Sequence, residues 1–211
     1  ATASSRKSVP AQAQAEAGTE AEPPTAERKG IIVGITSSVA KEGKTVSSIG
    51  LSSVAALNGL KTCLVDFNFR RPSVSQYMGL SEESGLMGYL AGRRDKLEIQ
   101  RMEFDEDTTI HLDVVSDPRT QSVFSFAAVQ PSQIRAVLNE LAATYDLVVV
   151  DLPPILTASE TKSMAKQCDT IIFCARQGFA PKRVILEGYE ALVSVLPPAI
   201  KPIVAMSLSR T

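Results

Sequence analysis

Six short stretches of this chain are rich in aliphatic residues, several of them at successive positions: 31–36 (IIVGIT), 62–67 (TCLVDF), 111–116 (HLDVVS), 146–151 (DLVVVD), 170–175 (TIIFCA) and 202–207 (PIVAMS). A strand with one face in water alternates apolar and polar residues. A strand buried on both faces does not, and such strands belong to parallel sheets covered by helices on each side. Helical patterns stand between the runs. Val46, Ile49, Gly50, Ser53 and Leu57 form a stripe closed by Asn58-Gly59. Ile134, Val137, Leu138 and Leu141 follow Pro131 with Ser132 as the expected cap, and Pro181 opens a helix carrying Ile185, Leu186, Tyr189 and Leu192. Strand–helix alternation of this kind predicts an α/β domain with a mostly parallel sheet, helices on both faces and a ligand site at the strand C-terminal ends.

The pattern starts at Gly30. Residues 1–29 are rich in Ala, Pro, Gln, Glu, Ser and Thr, with one Val as their only large aliphatic. Such a segment buries too little apolar area to offset its ordering entropy, which predicts a disordered tail or linker at 1–29 and one domain over 30–211. Lys and Arg total 22 and Asp and Glu 23, a net charge of −1, so no nucleic-acid partner is expected. Cys63, Cys168 and Cys174 lie in or beside apolar runs with no C-x-x-C pair, as reduced core cysteines would. No run approaches the length that spans a bilayer, and no signal peptide is expected. The first residue is Ala1, which fits either a removed initiator Met or a fragment of a longer chain.

The segment 34–45 (GITSSVAKEGKT) ends like a phosphate-binding loop, G-x-x-x-x-G-K-[ST], on Gly43-Lys44-Thr45. The first glycine of that pattern falls on Ser38, and Gly34 lies four residues too early. The setting is nevertheless strand, turn and helix, which aims backbone N–H groups and the helix dipole at phosphates. Lys44 would reach the β/γ-phosphates and the Thr45 hydroxyl would ligate Mg²⁺. Two further strands end in carboxylates, Asp66 in CLVDFNFRRP and Asp151 in LVVVDLPP. Strand-end carboxylates facing the loop are what a Mg-nucleotide site requires.

These three motifs resemble the cytoplasmic domain of the bacterial tyrosine kinases (BY-kinases) coupled to capsule and exopolysaccharide co-polymerases. That family writes its loop as Ser-Ser-x-Pro-Gly-Glu-Gly-Lys-Ser/Thr, and Ser37 to Thr45 follow the same register, so Ser38 stands where the family carries Ser. Its Asp-x-Asp-x-Arg motif is similar to Asp66-Phe67-Asn68-Phe69-Arg70, and its Asp-x-Pro-Pro motif to Asp151-Leu152-Pro153-Pro154. The resemblance implies a P-loop NTPase fold related to the MinD/ParA-like ATPases, although those carry a lysine where Val39 stands. It implies ATP/ADP binding by Ser38, Val39, Ala40, Lys41, Glu42, Gly43, Lys44, Thr45 and Val46. Mg²⁺ would be held by Thr45, Asp151 and Asn68, with Lys44 catalytic and Asp66 the base for a tyrosine hydroxyl. The implied partner is a membrane-embedded polysaccharide co-polymerase, in the same polypeptide or a separate chain. The implied place is the cytoplasm at the inner face of the bacterial inner membrane, with self-assembly into a homo-oligomer allowed.

Three departures stand out. Lys41 replaces the loop glycine, Asn68 replaces the second Asp of the middle motif, and the family's C-terminal tyrosine cluster is missing. They favour the alternative of a catalytically weak or inactive nucleotide-binding regulatory module docking to the co-polymerase. Tyr77, Tyr89, Tyr145 and Tyr189 are scattered and are expected to pack, His111 is expected to be structural, and Arg176 and Arg70-Arg71 are candidate contacts to the nucleotide, a neighbouring subunit or an acidic partner.

Overall fold

The computed structural model describes residues 30–80, 85–104, 110–117 and 129–207. The tail predicted at 1–29 lies outside the described residues. The elements are β1 (Ile31–Ser37), α1 (Lys44–Leu57), β2 (Thr62–Asp66), α2 (Val74–Met78), α3 (Leu86–Leu90), β3 (Gln100–Glu103), β4 (His111–Val115), α4 (Pro131–Thr144), β5 (Leu147–Asp151), α5 (Thr161–Ala165), β6 (Thr170–Arg176), α6 (Lys182–Val193) and β7 (Ile203–Ser207). The seven strands make one sheet in the order β3-β4-β2-β5-β1-β6-β7. Every pairing is parallel except β3 with β4. All six runs singled out in the sequence are strands. Only β3 is additional, an edge strand whose half-exposed residues (QRME) carry no apolar run.

Burial explains the unbroken apolar runs. The central strands β1, β2 and β5 send successive residues into two cores. Ile32, Cys63, Val65, Val148 and Val150 pack with Leu138, Leu141, Met164 and Leu192 of α4, α5 and α6. Val33, Ile35, Leu64 and Val149 pack on the other face with Ala56 of α1 and Val74 of α2. All three cysteines are buried and free. Among the described residues no helix is long and apolar enough to cross a membrane.

Two details depart from the sequence expectation. Helix α1 does not bury the stripe Val46, Gly50, Leu57. Val46 and Leu57 are exposed, and the inward residues are Lys44, Thr45, Ser48, Ser52, Ala55 and Ala56. Small side chains let the helix lie close to the sheet, and its first hydroxyls have a carboxylate to meet. Helix α4 begins one residue earlier than its expected cap: Gln130 is the N-cap, with Pro131 in the first turn and the Gln133 side chain accepting the Gln130 N–H at 2.7 Å. The Asn58-Gly59 cap is as expected, with Gly59 left-handed at φ 85°.

Gly34, the glycine that seemed misplaced in the loop pattern, lies in the middle of β1. A Cβ there would stand 2.6 Å from Ile171 Cδ1 and 2.8 Å from Cys168 Sγ. Its role is packing. Gly34→Ala should therefore destabilise the fold by about 1–3 kcal/mol through overpacking, read by urea denaturation. A neutral result would mean that this wall of the core yields freely.

Candidate functional site

Parallel pairing brings the carboxyl ends of β1, β2, β5 and β6 to one edge of the sheet. The register sets Asp66 directly opposite Asp151 at the ends of β2 and β5. The loop after β1 is pinned around that edge. Thr36 Oγ1 donates to Pro153 O at 2.7 Å, Ser37 Oγ donates to Val39 O at 2.7 Å, and the N–H groups of Ile155 and Leu156 donate to Ser37 O and Ser38 O. Gly43 ends the loop at φ 92°, in the left-handed region that only glycine enters without cost, and α1 starts at the next residue.

Asp151 is fully buried and is met almost entirely by α1. Thr45 Oγ1 donates to Oδ2 at 2.7 Å, Lys44 Nζ lies 3.5 Å from Oδ1, and the Ser48 hydroxyl lies 3.3 Å from Oδ1. Asp66 is compensated differently. Its carboxylate accepts three backbone N–H groups, from Asn68 at 2.9 Å and from Ser73 and Val74 at 3.1 Å each. Burial pushes the Asp66 carboxyl up to about 7, the Asp151 charge adds to the rise, and the N–H groups and Lys44 oppose it. Burial lifts Asp151 as well, against Lys44, Thr45 and Ser48. Protons on two such neighbours belong to the pair.

In front of the acids opens a cavity of about 840 Å³. Ala40, Lys41, Gly43, Lys44, Thr45 and Val46 line it, together with Asn68, Arg70, Arg71, Ser73, Tyr77, Pro153, Pro154, Thr157, Ala158 and Arg176. Of the loop residues expected to meet nucleotide, Ser38, Val39 and Glu42 do not line it. Ser38 is buried against α6, where a Cβ on Gly188 would come within 2.5 Å of its Oγ. Glu42 folds inward and its Oε2 accepts the Val39 N–H at 2.9 Å. Its Oε1 is buried without a hydrogen-bond partner, and burial holds the carboxyl above its ordinary range. Of the expected metal residues, Thr45 and Asn68 line the cavity, and Asp151 lies behind it, 2.7 Å from the Thr45 hydroxyl.

Hydroxyl, amide and carboxylate oxygens are the donors a hard cation such as Mg²⁺ takes, and they carry no sulfur or imidazole that would favour a softer metal. Among the described residues no cluster of three or more His, Cys, Asp or Glu could hold a metal unaided. That agrees with Mg²⁺, which binds through one or two carboxylates plus phosphates and water. The donor set therefore fits.

Several contributors had no clear sequence signal. Glu160 accepts two hydrogen bonds from Arg70, at 2.6 and 2.9 Å, and clamps the loop after β2 to the start of α5. Ser48 was legible in principle, since it lies one helical turn beyond Lys44. Tyr89, Tyr145 and Tyr189 pack as expected, on Glu140, Asp113 and Phe173. Tyr77 is at the surface, 67 % exposed, and lines the cavity. Arg176 lines it too, 5.6 Å from the centre of the Phe179 ring. His111 sits beside the Asp113 carboxylate, away from the cavity.

No family model matches the chain. Among curated proteins it is 28% identical over 134 residues to the putative tyrosine-protein kinase EpsB of Ralstonia nicotianae, covering 64% of this chain and 17% of EpsB. It is 27% identical over 164 residues to the tyrosine-protein kinase YwqD of Bacillus subtilis, covering 76% of this chain and 65% of YwqD. The succinoglycan biosynthesis transport protein ExoP of Rhizobium meliloti is 26% identical over 157 residues, 19% of its length. The solved kinase domain of the Escherichia coli tyrosine kinase ETK superposes with a TM-score of 0.74 at 26% identity, over 88% of this chain and 71% of that one. This chain is a homologue of the bacterial tyrosine-protein kinases. It spans less than a fifth of EpsB and ExoP and about two thirds of YwqD. The septum site-determining protein MinD of Pyrococcus horikoshii, solved with Mg-ADP, has the same fold at a TM-score of 0.64 and 20% identity, over 81% of this chain and 68% of that one. The fold is that of the parallel-sheet P-loop ATPases, as the motifs implied.

The acid pair makes stability depend on pH in a defined direction. With its folded pKa above the unfolded value, Asp66 keeps its proton while the unfolded chain releases one, so stability falls as pH rises from about 4 to about 7. Asp113 acts elsewhere on the scale. Burial disfavours its charge, but hydrogen bonds from Arg101 and Tyr145 outweigh burial and hold it below the ordinary range, so its contribution is lost only as pH falls below about 4. Urea melts between pH 4.5 and 7.5, about the window those pKa values define, should show a decline that is shallower in Asp66→Asn. An identical slope in both proteins would contradict the assignment.

Proposed function

We propose that this chain is the Mg-ATP-dependent protein-tyrosine kinase domain of a bacterial exopolysaccharide or capsule export system. The observation that carries the reading is the cluster beneath the cavity, in which Lys44 and Thr45 of the loop–helix junction line the cavity and converge on the buried strand-end carboxylate Asp151, with Asp66 alongside. Chance repetition of three short motifs does not produce that convergence. Its relatives' names, tyrosine-protein kinases and a succinoglycan transport protein, supply the substrate class and the cellular setting.

In this reading the N–H groups from Gly43 to Val46 and the Lys44 ammonium cradle the phosphates of ATP. Thr45, Asp151 and Asn68 are the residues that would hold Mg²⁺, through hydroxyl, carboxylate and amide oxygens. When bound, Mg²⁺ would supply positive charge against the phosphate oxygens. The tyrosine oxygen forms a bond to the γ-phosphorus, the bond to the β-phosphate bridging oxygen breaks, and ADP leaves. Asp66, with its carboxyl near 7, is suited to take the phenolic proton. The partner is a membrane-embedded co-polymerase, in the same polypeptide or separate, which places the domain at the inner face of the inner membrane.

A second reading has a specific observation in its favour. Asp66 is 1 % exposed, stands behind the cavity wall and is saturated by backbone N–H groups. In that arrangement the chain would bind nucleotide and signal to the co-polymerase without transferring phosphate.

One experiment separates the two. Purified protein is incubated with Mg-ATP and probed for phosphotyrosine beside Lys44→Met, and thermal shift with Mg-ADP is measured in parallel. A kinase gives phosphotyrosine that is absent in folded Lys44→Met, and a stabilisation of about 2.7 kcal/mol when ADP stands at about 100 times its Kd. Stabilisation without phosphotyrosine selects the regulatory module. No stabilisation at millimolar ADP removes both.

A further inference from the structure

The wall of the cavity carries five cationic side chains, Lys41, Lys44, Arg70, Arg71 and Arg176, and no carboxylate. Three are already engaged. Lys44 faces Asp151, Arg70 is held by Glu160, and Arg176 lies over the Phe179 ring. Lys41 forms no ion pair among the described residues and is exposed at the loop apex. The acids that balance this charge sit behind the wall, with Asp151 and Asp66 at 0 % and 1 % exposure. Asn68, which does line the cavity, contributes a neutral amide.

Lys41 also has the one left-handed backbone of any non-glycine described residue, at φ 69°. Glycine would occupy that conformation without strain, and a residue with a Cβ does not. Strain of this kind at the rim of a binding site persists when the side chain has work there. In polyphosphate recognition a divalent ion ordinarily neutralises the phosphate oxygens, and a fixed ammonium at hydrogen-bond range does the same work as a charge-assisted donor. Lysine at 41 and asparagine at 68 move the local charge in one direction, toward more positive, and both changes compensate anionic oxygens.

We propose that Lys41 is a second phosphate-binding cation, through which the site holds a nucleoside di- or triphosphate without a bound metal. The inference rests on the reading of the cavity as a nucleotide site. It separates two steps that the metal usually joins: the protein's own cations carry binding, and Mg²⁺ serves transfer alone.

The test is calorimetric titration of the intact protein with ADP and with ATP, in excess Mg²⁺ and in EDTA, for the native chain, Lys41→Gly and Lys41→Arg. Affinity of the native chain in EDTA should stay within about tenfold of its value in Mg²⁺, no more than the lower end of what one charged hydrogen bond contributes. Lys41→Gly should lose about 10–100-fold in EDTA and much less in Mg²⁺. It should also melt no lower than the native chain, because glycine relieves the left-handed strain. Lys41→Arg should retain metal-free binding. The proposal is overturned if native binding is tight in Mg²⁺ and collapses in EDTA, or if Lys41→Gly titrates like the native chain in both buffers. Absence of binding in both buffers instead sinks the nucleotide reading itself, and the proposal with it.

Discussion

A carboxylate with no exposure to water stands at the end of the central strand β5, and the arrangement of the site follows from compensating it. Burying Asp151 uncompensated is costly, so the chain surrounds it with an ammonium and two hydroxyls, all from the first turns of one helix. That requirement fixes where α1 starts, which face it turns inward, and how closely it approaches the sheet. It also gives Lys44 a structural part beside the one proposed for it in phosphate binding. Removing one partner of a buried pair costs about 3–5 kcal/mol, so a Lys44 variant has to be shown folded before its inactivity is interpreted.

The same constraint explains why the sequence was legible in some places and misleading in others. Strands β1, β2, β4, β5 and β6 were visible because burial demands aliphatic residues at consecutive positions, whereas β7 carries the same kind of run at the sheet edge with Ile203, Val204 and Met206 exposed. β3 was not, since an antiparallel edge strand with QRME needs no such run. The apolar stripe on α1 pointed to the wrong face. The inward face of that helix is chosen by hydroxyls that reach a carboxylate, and hydropathy periodicity is blind to that choice. Gly34 looked like a displaced loop glycine and is a packing glycine, because what matters there is the approach of Ile171 and Cys168 from across the sheet.

For the candidate site, residues fixed by local geometry were readable. Gly43, Lys44, Thr45, Asp66 and Asp151 each sit at a strand or helix end whose position the sequence already implied. Residues that act by tertiary contact were not: Glu160 is 90 residues from its partner Arg70 and nothing near it in sequence marks it. Ser38, Val39 and Glu42 belong to the loop in sequence, yet they stabilise its shape from behind while Ala40, Lys41 and Gly43 form its outer surface. A motif names a loop, and the fold decides which of its atoms a ligand can touch.

The central claim is that the junction of loop and α1 is a phosphate site. The most direct measurement is the amide NMR spectrum of the protein titrated with ADP. The account predicts that the N–H resonances of Lys41, Gly43, Lys44 and Thr45 shift first and most, while those of β3 and of the Asp113–Tyr145 region stay in place. Shifts confined to another surface, or none at saturating ADP, would contradict it.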